Sequence, residues 1–342
     1  MTMQSCETLD LSCEPLEASQ LTDEQKERLT ETLDRYLSSL ESGAPMDSEV
    51  LLDEHPDMWR EIREGAEQAH EPGRFVSLLA YEWTSWIHGH RHVVYFENDG
   101  EVYSSLSTEY ETPQQLWAAL AGQPALTFAH HSAGGPIPTN WDVPPDPVLE
   151  PVTEIVSVHG SSEAPDSPQP IYNPVRGNFV RDVLERGYRL GFVGSGDGHD
   201  GHPGLAHINA VSGGLAAILS EELTREAVHE AMKFRRVYAT NGPRILLQVS
   251  LAGAPMGSTL EARVLNDQGS EARRLVVRVV APGPLQQMDL IRSGEVIESV
   301  ACAGASCSAN LPIAAVQAGE YLYLRVLQTD GGAAWSSPYF FR

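Results

Sequence analysis

Apolar and polar positions along the chain fall into stretches of different rhythm. Between residues 21 and 40 the apolar side chains recur at helical spacing, with Leu29, Leu33, Tyr36, Leu37 and Leu40 on one face. Thr22 and Gln25 stand at capping-box spacing, so Leu21–Leu40 is predicted to be an amphipathic helix. A second helix is expected from about Asp57 to His70, opened by Pro56 and closed before Pro72-Gly73. Residues 1–72 thus read as an N-terminal helical segment.

From Arg74 the rhythm changes. Phe75–Tyr81, His92–Phe96, Ala125–Ala129, Glu154–Val158, Gly191–Ser195 and Ile208–Val211 are short apolar runs of strand length. Helical patterns lie between several of them, at Pro113–Ala121, Asn178–Arg186 and Thr224–Phe234. Strands alternating with helices predict an α/β domain over residues 73–243, built on a βα-type sheet or barrel. In such folds the functional side chains sit on loops leaving the C-terminal ends of the strands. After Arg244 no helical pattern separates the strand-like runs Ile245–Leu251, Leu275–Val280, Met288–Ile291, Val296–Val300 and Tyr321–Leu327. With turn signals at Ser293-Gly294 and Asp330-Gly331, residues 244–342 predict an all-β sandwich.

Charge narrows the list of partners. The chain carries 47 acidic and 23 basic residues, a formal net charge of −24. Such a surface repels nucleic-acid backbones and anionic membranes, so neither is expected as a partner. An anionic small-molecule substrate would have to be drawn in locally, as a cluster of bound divalent cations can do. No apolar run is long enough to span a bilayer, and Met1–Glu17 has neither the basic nor the apolar region of a signal peptide. A cytoplasmic location is the default expectation. Cys302 and Cys307 are close enough for a turn to bond them, and an unpaired pair of thiols is the equal alternative. A bond would point to an oxidising compartment.

The candidate chemistry is concentrated at the predicted strand ends. Glu82 is followed by His88, His90 and His92; His130 and His131 follow the Ala125–Ala129 run. His159 follows Glu154–Val158, and Asp197 and His199 follow Gly191–Ser195, with Asp200 and His202 nearby. Imidazole nitrogens with carboxylate oxygens suit Zn²⁺, Mn²⁺ or Fe²⁺. Each cluster alone is weak, since a single histidine at a strand end is usually a polar loop residue. Their repetition in order is what points to a metal site. A nucleophilic triad is a poor competitor, because Ser195 lies too near His199 and outside a Gly-x-Ser-x-Gly elbow. Dinucleotide binding lacks its glycine fingerprint.

The order Glu82, His90/His92, His130-His131, Asp197-x-His199 resembles the later metal motifs of the PHP (polymerase and histidinol phosphatase) superfamily. Within it, the chain is most similar to a PHP-like family whose domain has no assigned function. The resembling segments include Tyr81-Glu82-Trp83-Thr84-Ser85, His159-Gly160-Ser161-Ser162-Glu163, Tyr238-Ala239-Thr240-Asn241-Gly242 and Ala334-Trp335-Ser336-Ser337-Pro338. The resemblance implies a distorted βα barrel, TIM-like in kind, holding two or three divalent metals and hydrolysing mostly phosphate esters with metal-activated water. It assigns Glu82, His90, His92, His130, His131, Asp197 and His199 as metal ligands. His159 would be a ligand or a supporting acid, and Arg91 and Arg176 are candidate anion clamps, with a structural role the alternative for each.

PHP proteins open with His-x-His and Asp-His motifs, and neither precedes Glu82 here. The resemblance therefore implies an incomplete barrel, with an exposed sheet edge that favours a homo-oligomer. Three functional readings follow: a metal-dependent phosphoesterase, a metal-dependent amidohydrolase, and a non-catalytic metal-binding or structural module whose sandwich mediates binding.

Overall fold

The computed structural model describes residues 57–198 and 213–342. The predicted helix Leu21–Leu40, Pro56, the run Ile208–Val211, and His199, Asp200 and His202 lie outside the described residues. Contacts divide the chain into Met1–Glu61 and Ile62–Arg342. Of the first unit only the start of helix α1 (Asp57–Ala69) is described, where Arg60 pairs with Asp57.

In the second unit, strands β1 (Leu79–Ser85) and β2 (Gly89–Tyr95) form a hairpin. Helix α2 (Pro113–Leu120) then leads to β3 (Ala125–Ala129), which pairs antiparallel with β2. The ends of α2 are written in its sequence: Thr112 and Gln115 close a capping box and Pro113 opens the first turn. Next come β4 (Val152–Ser157), β5 (Gly160–Ser161), α3 (Val180–Glu185) and β6 (Gly191–Gly194), with β4 paired antiparallel to β5 and parallel to β6. After β7 (Leu215–Ile218), helix α4 (Arg225–Lys233) crosses to β8 (Val237–Thr240), antiparallel to β7.

The remaining strands are β9 (Leu246–Leu251), β10 (Ala254–Pro255), β11 (Thr259–Leu260), β12 (Arg274–Val280), β13 (Leu285–Arg292), β14 (Glu295–Ala301), β15 (Ser306–Pro312), β16 (Tyr321–Gln328), β17 (Ala333–Ser336) and β18 (Tyr339–Phe341), with a short helix α5 (Ala262–Asp267) among them. One sheet has the order β10-β9-β12-β15. The other is organised by β16: β13 pairs along it and carries β14, while β17 and β18 share its other edge. The two sheets bury a common core in which Leu247, Val249, Leu275, Val277 and Val279 of the first meet Met288, Leu290, Leu322, Leu324 and Val326 of the second. Alternation explains that core, because β12 buries every second residue from Leu275 to Val279. The larger sheet does not stop at residue 243: β17 pairs with β8, which brings β7 and β8 into it.

The expected βα barrel is not what forms. Among the described residues strands dominate, helices are few, and the sheets are open, with no closed barrel. The hydrophobic runs were compatible with either strand direction, and turn geometry decides the matter. Gly89, at φ 81°, lets β1 turn straight back into β2, and a Cβ there would lie 2.7 Å from the Thr139 Cα. Parallel strands require a crossover, and among the described residues of this region only β4 and β6 have one, through α3.

A buried polar node joins the segment before residue 244 to the strands after it. Glu163, fully buried, accepts hydrogen bonds from Trp335 Nε1 and the Tyr323 hydroxyl at 2.7 Å each, and from Ser167 Oγ at 2.8 Å. It also pairs with Arg181 at 3.1 Å and Arg325 at 3.2 Å, and Arg325 reaches on to Asp289 at 3.0 Å. Two segments noted in the sequence for their resemblance, His159–Glu163 and Ala334–Pro338, therefore meet here. Burial pushes the Glu163 carboxyl up, yet Arg325 and Arg181 outweigh it and hold it below the ordinary carboxylate range. Cys302 and Cys307, between β14 and β15, are disulfide-bonded.

Candidate metal centre

The pleat of the β1–β2 hairpin sets the first part of the site. Glu82 lies opposite His92 and Thr84 opposite His90, so these side chains share one face. Trp83 and Arg91 share the other. Contrary to the strand-end expectation, Glu82, His90 and His92 all lie within strands. His130 and His131 follow β3, His159 follows β4, and Asp197 follows β6, each at the C-terminal end of its strand.

These side chains converge. His90 Nδ1 contacts Glu82 Oε1, and His131 Nε2 lies 3.3 Å from the same nitrogen. His130 Nδ1 is 2.8 Å from Glu154 Oε2, and its Nε2 is 3.4 Å from Asp197 Oδ1. Asp197 Oδ2 is 2.6 Å from His159 Nε2. Three overlapping groups have donor atoms within 4.8 Å of one another: His130, His131 and His159; Glu82, His90 and His131; His92, His130 and Glu154. The Tyr172 ring, 47% exposed, stands edge-on to His159 at 5.5 Å and marks the mouth.

The residues fit a divalent cation. Buried His90 Nε2 and His131 Nδ1 find no hydrogen-bond partner among the described residues, an arrangement that is costly unless something else takes those lone pairs, while His92 Nε2 has only a long contact to Glu154 Oε2 at 3.6 Å. In the absence of an ion, the same contacts set the protonation of the cluster. Burial opposes a charge on His130, but Glu154 and Asp197 overcome it and raise its pKa to about 10. Burial, then the charges of His130 and His90, push His131 down to about 4, leaving a neutral imidazole. Burial also works against the anions of Glu154 and Asp197, yet contact with His130, and for Asp197 with His159, holds both well below the carboxylate range. Glu82 is held low against the same opposition, by His90. His131 and Asp197 both adopt left-handed backbone, at φ 36° and 50°, a strain that persists where surrounding structure enforces it.

Two candidate residues stand apart. Arg91 is fully buried, pairs with Glu150 at 2.9 Å, and lies between the Trp83 and Trp117 rings at 5.9 and 5.7 Å, so it stiffens β2 and does not reach an anion. Arg176 is exposed on the loop after Tyr172. His199 lies outside the described residues. The residue missed from sequence is Glu154. Its signal was a lone carboxylate in the middle of Val152-Thr153-Glu154-Ile155-Val156-Ser157, a run buried at every position.

A family model described as a protein of unknown function (DUF3604) matches residues 4–137 and 202–272, more than half of the chain. The chain belongs to the DUF3604 family. The first block matched to DUF3604 holds Glu82, His90, His92, His130 and His131, whereas Glu154, His159 and Asp197 lie between the blocks. This DUF3604 member is similar to an uncharacterized protein of Chlamydia pneumoniae, 27% identical over 89% of this chain and 52% of that protein. It is also similar to an uncharacterized protein of Chlamydia trachomatis serovar D, 30% identical over 56% of this chain and 34% of that protein. The chain thus spans about half the length of the first relative and about a third of the second. No solved structure matches it. No helix among the described residues is long and apolar enough to cross a membrane.

Proposed function

We propose that the protein is a metal-dependent hydrolase of small-molecule esters, with phosphate esters as the first substrate class. The observation that carries this reading is the convergence of the three histidine-rich groups around His130 and His131, with buried imidazole nitrogens left unpartnered. Glu82, His90, His92, His130, His131 and Asp197 would hold Zn, Mn or Fe ions. Such ions supply an activated water and stabilise charge on both the attacking and the leaving oxygen. His159, partly exposed at the mouth and held by Asp197 at 2.6 Å, is the chain's own group for passing a proton to the leaving oxygen. Arg176, exposed on the loop after Tyr172, is the remaining candidate for an anion clamp that the PHP resemblance implies, Arg91 being committed to Glu150. The PHP resemblance supports the same reading from the motif order.

The test is elemental mass spectrometry of the chain after dialysis against metal-free buffer, followed by screens of phosphate-ester and amide substrates. We expect retained Zn, Mn or Fe and ester hydrolysis. Asp197→Asn, which keeps a side chain tolerant of left-handed backbone, should lower metal content and hydrolysis together with unchanged circular dichroism. No metal retained by the wild type, even after reloading, would overturn the reading. Hydrolysis confined to amides would overturn the ester assignment alone.

A further inference from the structure

Resting on that metal-site reading, we propose that Glu154 is the positioning residue of the site and not one of its ligands. Geometry alone allows either role, since Glu154 forms a donor group with His92 and His130. Its surroundings decide between them. Both carboxylate oxygens are already engaged: Oε1 accepts the backbone N–H of His131 at 3.1 Å, and Oε2 accepts from His130 Nδ1 at 2.8 Å and from the Ser195 hydroxyl. Glu154 is also 1% exposed in the middle of a strand buried at every position, so it has no freedom to swing toward an ion. A cation approaching it would have to displace these donors.

The same contacts give Glu154 a task. A carboxylate accepting from one imidazole nitrogen fixes the proton there and turns the lone pair of the other outward. With Nδ1 committed to Glu154, His130 presents Nε2 toward Asp197, 3.4 Å away. The bond from Oε1 to the His131 amide meanwhile pins that residue in its left-handed backbone at φ 36°. One carboxylate therefore sets the orientation of both adjacent histidines. Ser195, which follows β6, ties the carboxylate in turn to the strand that delivers Asp197.

The experiment strips the full chain with a chelator and titrates it with Co²⁺ alone, following visible absorption and bound metal by elemental mass spectrometry. Wild type, Glu154→Gln and Asp197→Asn are compared. We expect Glu154→Gln to bind as many equivalents as wild type, with affinity lower by roughly 10–100-fold and a shifted absorption band. Asp197→Asn should lose an equivalent outright. Loss of an equivalent in Glu154→Gln would make Glu154 a ligand, and wild-type affinity would mean that it positions nothing; either result overturns the proposal. Absence of Co²⁺ binding by the wild type would overturn the metal-site reading itself. If Glu154→Gln does not fold by circular dichroism, Glu154→Asp takes its place. Its shorter carboxylate should keep full stoichiometry with weakened affinity, and a lost equivalent or wild-type affinity there overturns the proposal equally.

Discussion

Glu163→Gln isolates the charge of the buried node from its volume. The substitution keeps the side chain's shape and one acceptor oxygen, but removes the anion that Arg181 and Arg325 face at 3.1 and 3.2 Å. Breaking a buried ion pair from one side costs roughly 3–5 kcal/mol. Here the lower end applies, because Arg325 keeps Asp289 at 3.0 Å and Arg181 keeps Asp166 at 3.0 Å. A loss of about 3 kcal/mol corresponds to a fall in Tm of about 6 °C for a unit of this size. Thermal unfolding followed by circular dichroism at neutral pH reads it directly. The sign with pH is also set: the folded carboxyl lies below its unfolded value, so its contribution is complete above the unfolded carboxylate pKa, about 4.3. That contribution is lost as pH falls through the folded value. The gap between wild type and variant should hold from about pH 7 to pH 5 and narrow only in stronger acid. A neutral-pH loss under about 1 kcal/mol would refute the claim that this node fastens the unit.

Two further outcomes can be stated briefly. Replacing both Cys302 and Cys307 by Ser opens a closed loop of sequence separation 5, and should cost about 2 kcal/mol by loop-closure entropy; a denaturant midpoint unmoved by the substitution would show that the bond contributes nothing. Because the chain carries a net charge of −24, raising salt from about 0.02 to 0.5 M should screen its self-repulsion and raise Tm. A Tm that falls with salt would mean that attractive surface pairs outweigh that repulsion.

Much of the local structure was legible in the sequence, because the signals were local. The run Ala125–Ala129 is β3 without adjustment, and Leu275–Val280 is β12 less its first residue. The Ser293-Gly294 turn has the positive φ angles, 46° and 83°, that such a pair suggests. Strand direction was not legible, since alternation describes a face and not a partner. β15 escaped notice because Ser306–Pro312 exposes most of its residues and so carries little apolar signal. β17 and β18 are short and follow turns closely, and pairing with β16 and, beyond it, with β8 and β11 makes strands of them. For the candidate site, histidine spacing marked residues that the fold brings together, and of the two readings open for Arg91, anion clamp or structural arginine, burial against Glu150 selects the second. Pleat alternation between His90 and His92 was enough to turn Arg91 to the opposite face. Glu154 was hidden by its own strand: burial made it read as part of an apolar run, and burial is what makes it consequential.

The pairing of β8 with β17 has a consequence for how the polypeptide reaches its native state. Thr240 lies opposite Ala334, so a nascent chain that has already emerged with every histidine of the site still lacks the neighbour that closes this edge. Until β17 leaves the ribosome, β8 presents an open template to any other extended segment nearby. Completion of the sheet around β8 therefore waits for residues more than ninety positions further along the chain. Natural variation should treat the two halves as a single inheritance unit, exchanged together or not at all.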